Sequence, residues 1–415
     1  MNARWAIGQS KLVRGMMACL LFAAACTGSG KNGGEVATTP APASSVIVAE
    51  PSAVVETPGL PLDADHSVGP PIVIGNLAVF PIYAKVMEDI GDFIPLDDAL
   101  ERSLAVVREL GAEPADPAAG GNGPQQQAPP HEQNAMPQQQ QVAYRGDGAR
   151  VNTLVIENKG ELPILVLAGT VVKGGKQDRQ IGQDFIIGKK QTVPVDAFCV
   201  EHGRWNATRN GQATHGSFKS LKTLAAGGVR AAGQYEKDQG QVWSKVGKIN
   251  KATGKQTASD TLTASLEAPE AQAERSRLGG QIHAFLISVP MAERTVGLAY
   301  AVGGEVQGAR FFIHHKLFTR YEEMLVNTAV VESYTEGAAL RAEGKPAAPG
   351  ACGPDKVAAF VAGASGGKRE QRDTKGDNVN HYEVGDKAYS SAVQMKSASP
   401  AAKPKSVTRD FLKKK

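Results

Sequence analysis

Residues 151–172 read VNTLVIENKGELPILVLAGTVV, and residues 181–200 read IGQDFIIGKKQTVPVDAFCV. Short apolar runs rich in Val, Ile, Leu and Phe alternate here with clusters of Gly, Pro, Asn and Lys, which is typical of β-strands separated by turns. The turn residues Lys159 and Gly160 predict a hairpin between the first two runs. We therefore predict strands in this part of the chain at 151–157, 162–167, 170–172, 181–187 and 193–200.

The flanking sequence adds more strands and several helices. Before this region, residues 72–83 predict two short strands broken at Gly75 and Asn76, and residues 96–101 predict a short helix with acids in its first turn. After it, apolar side chains recur at helical spacing in three places, and apolar β-type runs return in three more. The predicted helices lie at 218–229, 242–249 and 317–340, and the predicted strands at 283–289, 295–302 and 305–313.

These elements predict an α+β fold: a single domain over residues 70–340, mostly of antiparallel strands, with an inserted helical section and a C-terminal helix. Residues 112–141 are rich in Gln, Pro, Ala and Gly. They cannot bury enough apolar surface to offset their ordering entropy, so we predict a disordered insert within the domain. On the same grounds, residues 26–69 predict a disordered tether and residues 341–415 a disordered basic tail.

Composition excludes several classes of protein. Of 415 residues, 21% are charged and 6% are aromatic, and the formal net charge is +4. These values exclude a polytopic membrane protein, a collagen and a coiled coil. The small net charge does not favour nucleic-acid binding, and we expect no nucleic-acid partner. The basic tail favours either contact with anionic lipid headgroups or a solvated segment.

The N-terminal residues predict the localisation of the protein. Residues 1–25 carry basic residues and no acid, and their apolar run ends in three alanines before Cys26. This layout predicts a signal peptide, because the run is shorter than the about 20 residues that span a bilayer. The Ala-Ala-Ala-Cys sequence is similar to a bacterial lipobox, so we expect lipid on Cys26; a plainly cleaved signal and an uncleaved anchor are the alternatives. We therefore expect the chain on the periplasmic side of the bacterial cell envelope, with the outer membrane favoured over the inner membrane.

Two clusters of polar, charged and Gly residues each follow an apolar strand, where binding groups commonly lie. The first, at 169–179, reads GTVVKGGKQDR, and the second, at 194–205, reads PVDAFCVEHGRW. Together with GNLAVFP at 75–81, LDDAL at 96–100 and the Gly-Gly hairpin and aromatic helix of 302–318, they resemble the ARG and rhodanese-phosphatase superfamily-associated protein domain. The resemblance covers the whole predicted domain and departs from the family at the Gln- and Pro-rich insert. It implies no established reaction.

The two motifs supply the candidate ligand-binding side chains, which are Lys176, Gln177, Arg179, Arg204 and Trp205. The Gly-Gly-Lys turn favours either a backbone nest for an anion or a tight turn whose charges form structural ion pairs. It lacks the spacing and the Lys-Ser/Thr ending of a P-loop, so nucleotide binding has little support. Because buried charges need partners, we also expect a Glu201–Arg179 or an Asp178–Arg204 pair.

Catalysis has weaker support than binding. The alternative function is hydrolysis of a phosphorylated or sugar-bearing substrate, with Glu201 or Asp178 as the general base. Cys199 is expected to be a buried apolar residue or to form a disulfide with Cys352, rather than to act as a nucleophile. The histidines are scattered without metal-ligand spacing and no cofactor fingerprint occurs, so we expect neither a metal site nor a cofactor.

The sequence therefore predicts a lipid-anchored envelope protein whose domain binds an unknown polar ligand or a partner protein. The membrane is a further expected partner, through the lipid on Cys26. A third hypothesis is a structural lipoprotein in which the two motifs only hold the fold together.

Overall fold

Alternating apolar and polar side chains build a fold dominated by antiparallel strands. The computed structural model describes residues 54–110, 152–209, 212–214, 216–345, 350–396 and 406–415. In chain order, the strands are β1 (Leu60–Pro61), β2 (His66–Val68), β3 (Ile72–Ile74), β4 (Leu77–Ala84), β5 (Ile94–Pro95), β6 (Ala105–Glu109), β7 (Thr153–Asn158), β8 (Ile164–Val166), β9 (Thr170–Gly174), β10 (Arg179–Ile181), β11 (Phe185–Ile187), β12 (Thr192–Cys199), β13 (Thr208–Arg209), β14 (Gln212–Ala213), β15 (Phe218–Leu224), β16 (Thr295–Val302), β17 (Glu305–Phe312), β18 (Lys368–Asp373), β19 (Asn378–Val384), β20 (Ala388–Met395) and β21 (Ser406–Lys413).

The helices begin and end where local chemistry favours it. The Asp238 carboxylate caps one helix by accepting a bond from the backbone N–H of Gln241, and Gly254, in the left-handed region at φ 67°, ends the same helix. The helices are α1 (Leu96–Glu101), α2 (Gly227–Gln234), α3 (Gln239–Thr253), α4 (Leu262–Leu266), α5 (Pro269–Ser288), α6 (His315–Ala342) and α7 (Pro354–Ala362), with a 3₁₀ turn at Ala292–Arg294.

Two large sheets organise the described residues. The first has the strand order β1-β2-β4-β16-β17-β21-β20-β19-β18, with β3 added against β4, and the second has the order β15-β9-β10-β12-β7-β6. The remaining strands form a small sheet, β11-β8-β5, and a short hairpin, β13-β14. Nearly all strand pairs are antiparallel, apart from β5 with β8. The mixed α+β class is therefore confirmed.

Helix α6 connects the two large sheets. It packs against β16 and β17 of the first sheet and against β15 of the second. Its buried face includes Phe318, Tyr321 and Leu325, which join the largest apolar cluster of the molecule. The Tyr321 hydroxyl donates to the carbonyl of Leu165 at 2.6 Å, so even its polar atom is satisfied. Within the described part of the chain, no helix is long and apolar enough to cross a membrane.

Several predicted elements are found with close to their predicted bounds. Strands β3 and β4 flank Gly75 and Asn76, helix α1 occupies residues 96–101, and β16 spans Thr295–Val302. The predicted helices around 242–249 and 317–340 are α3 and α6. These segments carry either a clear period of apolar side chains or an explicit stop residue, so local sequence is enough to define them.

Three predicted elements are wrong. The runs on either side of Lys159 and Gly160 do not form a hairpin, because β7 pairs with β6 and β12 while β8 pairs with β5 and β11. Residues 218–224 are strand β15 rather than a helix, since they pair with the exposed edge of β9. Residues 283–288 continue helix α5 rather than forming a strand; Leu278, Ile282 and Leu286 are buried at helical spacing.

The predicted disordered segments also need correction. Residues 341–415 are not a disordered tail where the structure describes them, because α7 and strands β18 to β21 lie there and β21 pairs along β17. The Asp410 carboxylate explains the attachment: it is buried and lies 3.2 Å from Arg310 Nε and 3.4 Å from Arg230 Nη1. Strands β1 and β2 likewise lie inside the predicted tether of residues 26–69. The signal peptide, Cys26 and the insert at 112–141 lie outside the described residues.

Candidate functional site

The two polar motifs meet at one end of the second sheet. Strand β10 lies between β9 and β12, and Arg179 is directly opposite both Val172 of β9 and Cys199 of β12. Because neighbouring strands are antiparallel, the loop after β9 and the loop after β12 must emerge at the same edge. Residues 174–179 and 199–205 are therefore in direct contact.

Glycine is required where the first loop turns. Gly174 has φ 147°, and a Cβ atom there would lie 2.0 Å from the carbonyl oxygen of Ser217. Gly175 has φ 49°, and a Cβ atom there would lie 2.3 Å from the Phe218 ring. The close approach of β15 thus explains the Gly-Gly pair as a packing requirement of the turn.

Arg204 forms the centre of the contact between the loops. Its guanidinium donates to both carboxylate oxygens of Glu201, at 3.0 and 2.8 Å, and to the carbonyl of Gly175 at 2.7 Å. Its Nη2 also lies 3.8 Å from Asp178 Oδ1. Arg204 is only 7% exposed and Glu201 is 1% exposed, so this is a buried, bidentate ion pair. The predicted Asp178–Arg204 pair is present, whereas the structure pairs Glu201 with Arg204 rather than with Arg179.

The Asp178 carboxylate accepts four hydrogen bonds. It is completely buried, and its Oδ2 accepts bonds from the hydroxyls of Thr261 and Thr263 at 2.8 and 2.9 Å. Its Oδ1 accepts from the backbone N–H of Gly174 and from the guanidinium of Arg209. The Glu201 carboxylate in turn accepts from the backbone N–H of Asp178 at 3.0 Å. We call Asp178, Glu201, Arg204 and Arg209 the charged cluster.

Arg209 belongs to the cluster although no motif in the sequence indicates it. It lies on the short β13–β14 hairpin, and its Nη2 bonds both Asp178 and Glu201. Burial opposes its charge most strongly, but the hydrogen bond and charge of Asp178 and the charge of Glu201 outweigh burial, so the pKa of Arg209 is raised. Two cations and two carboxylates therefore balance within the cluster.

The remaining candidate side chains surround the cluster. Gln177 is buried and donates to the carbonyl of Glu201 at 2.9 Å. Arg179 is buried beside Glu109, with 3.8 Å between the charged atoms. Trp205 is half-buried, with the Lys176 ammonium 5.8 Å and the Arg179 guanidinium 5.5 Å from its ring centroid. The structure brings all of the predicted site residues together, but most of them face the protein interior.

An open cleft lies beside the cluster. It has a volume of about 600 Å³ and is bounded by the β13–β14 hairpin and by the segment from Lys255 to Pro269. Glu201 and Arg204 of the second motif form part of its wall. The other charged side chains that line it are Lys173, Arg209, Lys255 and Glu267. Lys173 is 2.5 Å from Glu267, and Lys255 is 3.0 Å from Glu270. We call this cavity the motif cleft.

Among the residues that the structure describes, the cysteines form no disulfide and no metal-binding group is found. Cys199 and Cys352 are both thiols rather than a disulfide. Burial raises the pKa of the Cys199 thiol, against the opposing effect of Arg179, so the nucleophilic thiolate is disfavoured. Among the described residues, no group of three or more His, Cys, Asp and Glu side chains is arranged to hold a metal ion.

The comparison with known families agrees with the motifs. Residues 65–399 match the family model of the ARG and Rhodanese-Phosphatase-superfamily-associated Protein domain, ARPP-1. The chain belongs to the ARPP-1 family. No curated protein and no solved structure matches it. The ARPP-1 match continues past residue 340 to the end of β20, so it includes most of the C-terminal strands that the predicted domain left out.

Four polar residues beside the two motifs carry no signal of their own in the sequence. Thr261 and Thr263 bond Asp178 across more than eighty positions of chain, at separations of 83 and 85 residues. Arg209 and Lys255 have no recognisable motif around them. Only the topology, which brings the β13–β14 hairpin and helix α4 over the second sheet, reveals these four residues as neighbours of the motifs.

Proposed function

We propose that the ARPP-1 domain binds a polar ligand in the motif cleft, and that lipid on Cys26 holds it in the bacterial cell envelope. The observation that carries the binding proposal is a cleft of about 600 Å³ with a wall built partly from both family motifs. Cavities of this size, with a few converging polar groups, are where proteins commonly bind small molecules.

The charges of the cleft favour a ligand with an anionic group. Four cations line it, namely Lys173, Arg204, Arg209 and Lys255, against the carboxylates of Glu201 and Glu267. Arg209 is also bonded to buried Asp178 and Lys255 is bridged to Glu270, so an anionic ligand would bind by competing with the exposed Lys255–Glu270 pair. Arg209 also keeps its Nε without a hydrogen-bond partner among the described residues. Guanidinium groups suit carboxylate and phosphate, because their planar donors can bond two oxygens at once.

The geometry favours binding over hydrolysis by an acidic base. A general base needs a carboxylate that can take a proton from substrate or water. Asp178 and Glu201 instead accept several hydrogen bonds each, from Arg204, Arg209 and backbone or hydroxyl donors, in the interior. Their role in this proposal is to hold Arg204 and Arg209 at the wall of the cleft.

Ligand binding is tested by a thermal-shift screen of the full chain with nucleotides, sugar phosphates and carboxylates. A ligand at 100 times its Kd should add about 2.7 kcal/mol of stability. The stabilisation should be reduced in Lys255→Gln, a change at a partly exposed side chain that leaves the charged cluster intact, and in Arg209→Gln. Arg369→Gln, at a side chain that is 78% exposed, is the matched control and should leave the shift unchanged.

The proposal fails if no compound of the panel stabilises the protein. It also fails if a compound stabilises the wild type and Lys255→Gln equally. The anchor is tested separately, by mass spectrometry of the mature N-terminus and by membrane fractionation of Cys26→Ser. We expect diacylglycerol on Cys26 and release of the variant from the membrane, since stable attachment needs more than one acyl chain; an unmodified Cys26 contradicts the anchor.

A further inference from the structure

A second, larger cavity adjoins the motif cleft. It has a volume of about 800 Å³ and lies between helices α5 and α6 and strand β15. Glu267 lines both cavities. Lys173 and Glu267, which are 31% and 34% exposed, form an ion pair at this shared position. We call the larger cavity the helix cleft.

The helix cleft has the opposite charge preference to the motif cleft. Apart from the shared Glu267, its lining includes the acids Glu101, Glu322 and Glu323 against the cations Lys222 and Arg275. Lys222 is 3.1 Å from Glu101, so that pair is internally balanced. His283, at the same end, is 2.6 Å from Glu322 through its Nδ1 atom. A cationic group in this cleft would meet Glu323 and would compete with His283 for Glu322.

Strand β15 forms part of the wall of the helix cleft. Helix α6 already bonds the Lys222 carbonyl through Asn327 and the Leu224 amide through Thr328, so the edge that faces the cleft is at Ser220 and Leu221. Strand β15 is at the edge of its sheet, and Ser220 and Leu221 of that strand line the helix cleft. On the opposite side, Gly280 also lines the cleft, and a Cβ atom added there would meet nothing within 4 Å. A helical glycine that faces open space leaves room for a ligand that a larger side chain would fill.

We propose that the two cavities form one groove that binds an extended peptide segment. The acidic end of the segment lies at Arg209 and Lys255, and its basic end lies at Glu322 and Glu323. This inference rests on the proposed function, because it assigns the motif cleft as the anion-binding half of the groove. Opposite charges at the two ends and an edge strand along one wall favour a peptide over a neutral polysaccharide.

The test measures binding of labelled synthetic peptides to the full chain by fluorescence anisotropy. One peptide carries paired aspartates, one carries paired lysines, and a joined series carries both pairs, in either order along the chain, separated by Gly-Ser linkers of increasing length. With a linker that matches the groove, the joined peptide should bind about 100-fold more tightly than the aspartate peptide alone, because the second contact becomes intramolecular.

Two variants connect this gain to the groove. Gly280→Leu should lower the affinity for the joined peptide to that for the aspartate peptide, while leaving the aspartate peptide unaffected. Because Leu is a better helix former than Gly, this variant is expected to fold. Gln281→Leu changes the next residue of α5, which lines neither cavity, and should leave both affinities unchanged.

The outcomes separate the two proposals. If the aspartate peptide binds in a Lys255-dependent manner but no joined peptide binds more tightly, the groove is wrong and the proposed function stands. If neither peptide binds and the panel of small anions is also without effect, both proposals fail. If a neutral oligosaccharide such as a chitin fragment displaces the joined peptide and is itself blocked by Gly280→Leu, the groove binds glycan and the peptide assignment is wrong.

Discussion

Replacement of Arg204 by Met tests the charged cluster most severely. Arg204 donates five hydrogen bonds, of which two go to Glu201 and three to backbone carbonyls of Gly174, Gly175 and Asn206. Removing one partner from a buried ion pair leaves the other as an uncompensated charge, which costs about 3–5 kcal/mol. Arg209 still bonds Glu201 at 3.1 Å, so we expect a cost near the lower limit, about 3 kcal/mol.

The assay is urea unfolding of the full chain, followed by tryptophan fluorescence. Arg204→Met, Glu201→Gln and the double variant form a double-mutant cycle, in which residues in direct contact commonly show coupling of about 0.5–3 kcal/mol. We expect the double variant to lose less stability than the sum of the two single variants. Arg369→Met is the control, because an ion pair at an exposed surface contributes about 0–1 kcal/mol.

A cost of less than about 1 kcal/mol for Arg204→Met, or a cycle without coupling, would contradict a buried ion pair between Arg204 and Glu201. Either result means that water reaches these charges and that Glu201 does not depend on Arg204. The carboxylates would then be available for proton transfer, and hydrolysis would regain support.

Three further predictions concern groups outside this pair. Asp97 is 8% exposed, and burial raises its pKa to about 6. The free energy of unfolding should therefore fall by up to about 3 kcal/mol as the pH rises from about 4 to about 6. Unfolding measured at a series of pH values should show this slope in the wild type and not in Asp97→Asn. Burial opposes ionisation of Glu332, yet Lys415 and the Gly227 amide keep its pKa below the ordinary value. Lys415→Met should therefore destabilise the protein by about 3 kcal/mol at pH 7, and unfolding measured at a series of pH values should show this loss shrinking towards acidic pH, where protonation of Glu332 removes the unpaired charge; exposed Lys387→Met should have no such effect. Gly174→Ala should prevent soluble expression, because its methyl group would lie 2.0 Å from a backbone oxygen. Gly216→Ala, at φ 64° with open space around it, should cost only about 1–2 kcal/mol of unfolding free energy. Equal soluble yields of the two variants would contradict this explanation of the turn.

Local sequence is sufficient to predict an element whose conformation is determined mainly by its own residues. The apolar run of β16 and the cap and stop residues of α3 define their elements without help from distant chain. In contrast, β15 carries apolar residues at helical spacing and becomes a strand because it pairs with β9, from Phe218 opposite Gly174 to Leu224 opposite Thr170. Tertiary pairing overrides local periodicity at such positions.

The C-terminal strands show the same limit more strongly. Strand β18 has the sequence KREQRD, and nearly all of its side chains are exposed. Its place in the sheet comes from pairing with β19, which itself pairs with β20 and then β21. The composition of residues 341–415 predicts disorder because composition reflects average hydrophobicity. It does not reveal that a polar edge strand can be held in a sheet by its pairing with other strands and by a buried residue such as Asp410.

Part of the candidate site can be predicted from the sequence. The resemblance of the two motifs correctly indicated the family, and the strand register explains why residues 174–179 and 199–205 meet. The sequence could not show that Asp178 and Glu201 are bonded on all sides, since their partners Arg209, Thr261 and Thr263 lie in unremarkable sequence. Burial and hydrogen-bond partners are properties of the fold. They decide whether a carboxylate can take part in proton transfer or only holds neighbouring side chains in place.

The most direct test of the binding proposal is a crystal structure of the full chain with the strongest stabilising compound of the panel. We predict electron density for the compound in the motif cleft, with an anionic oxygen about 3 Å from Arg209 or Lys255. Density elsewhere on the molecule, with the guanidinium of Arg209 still bonded only to Asp178 and Glu201, would contradict the proposal.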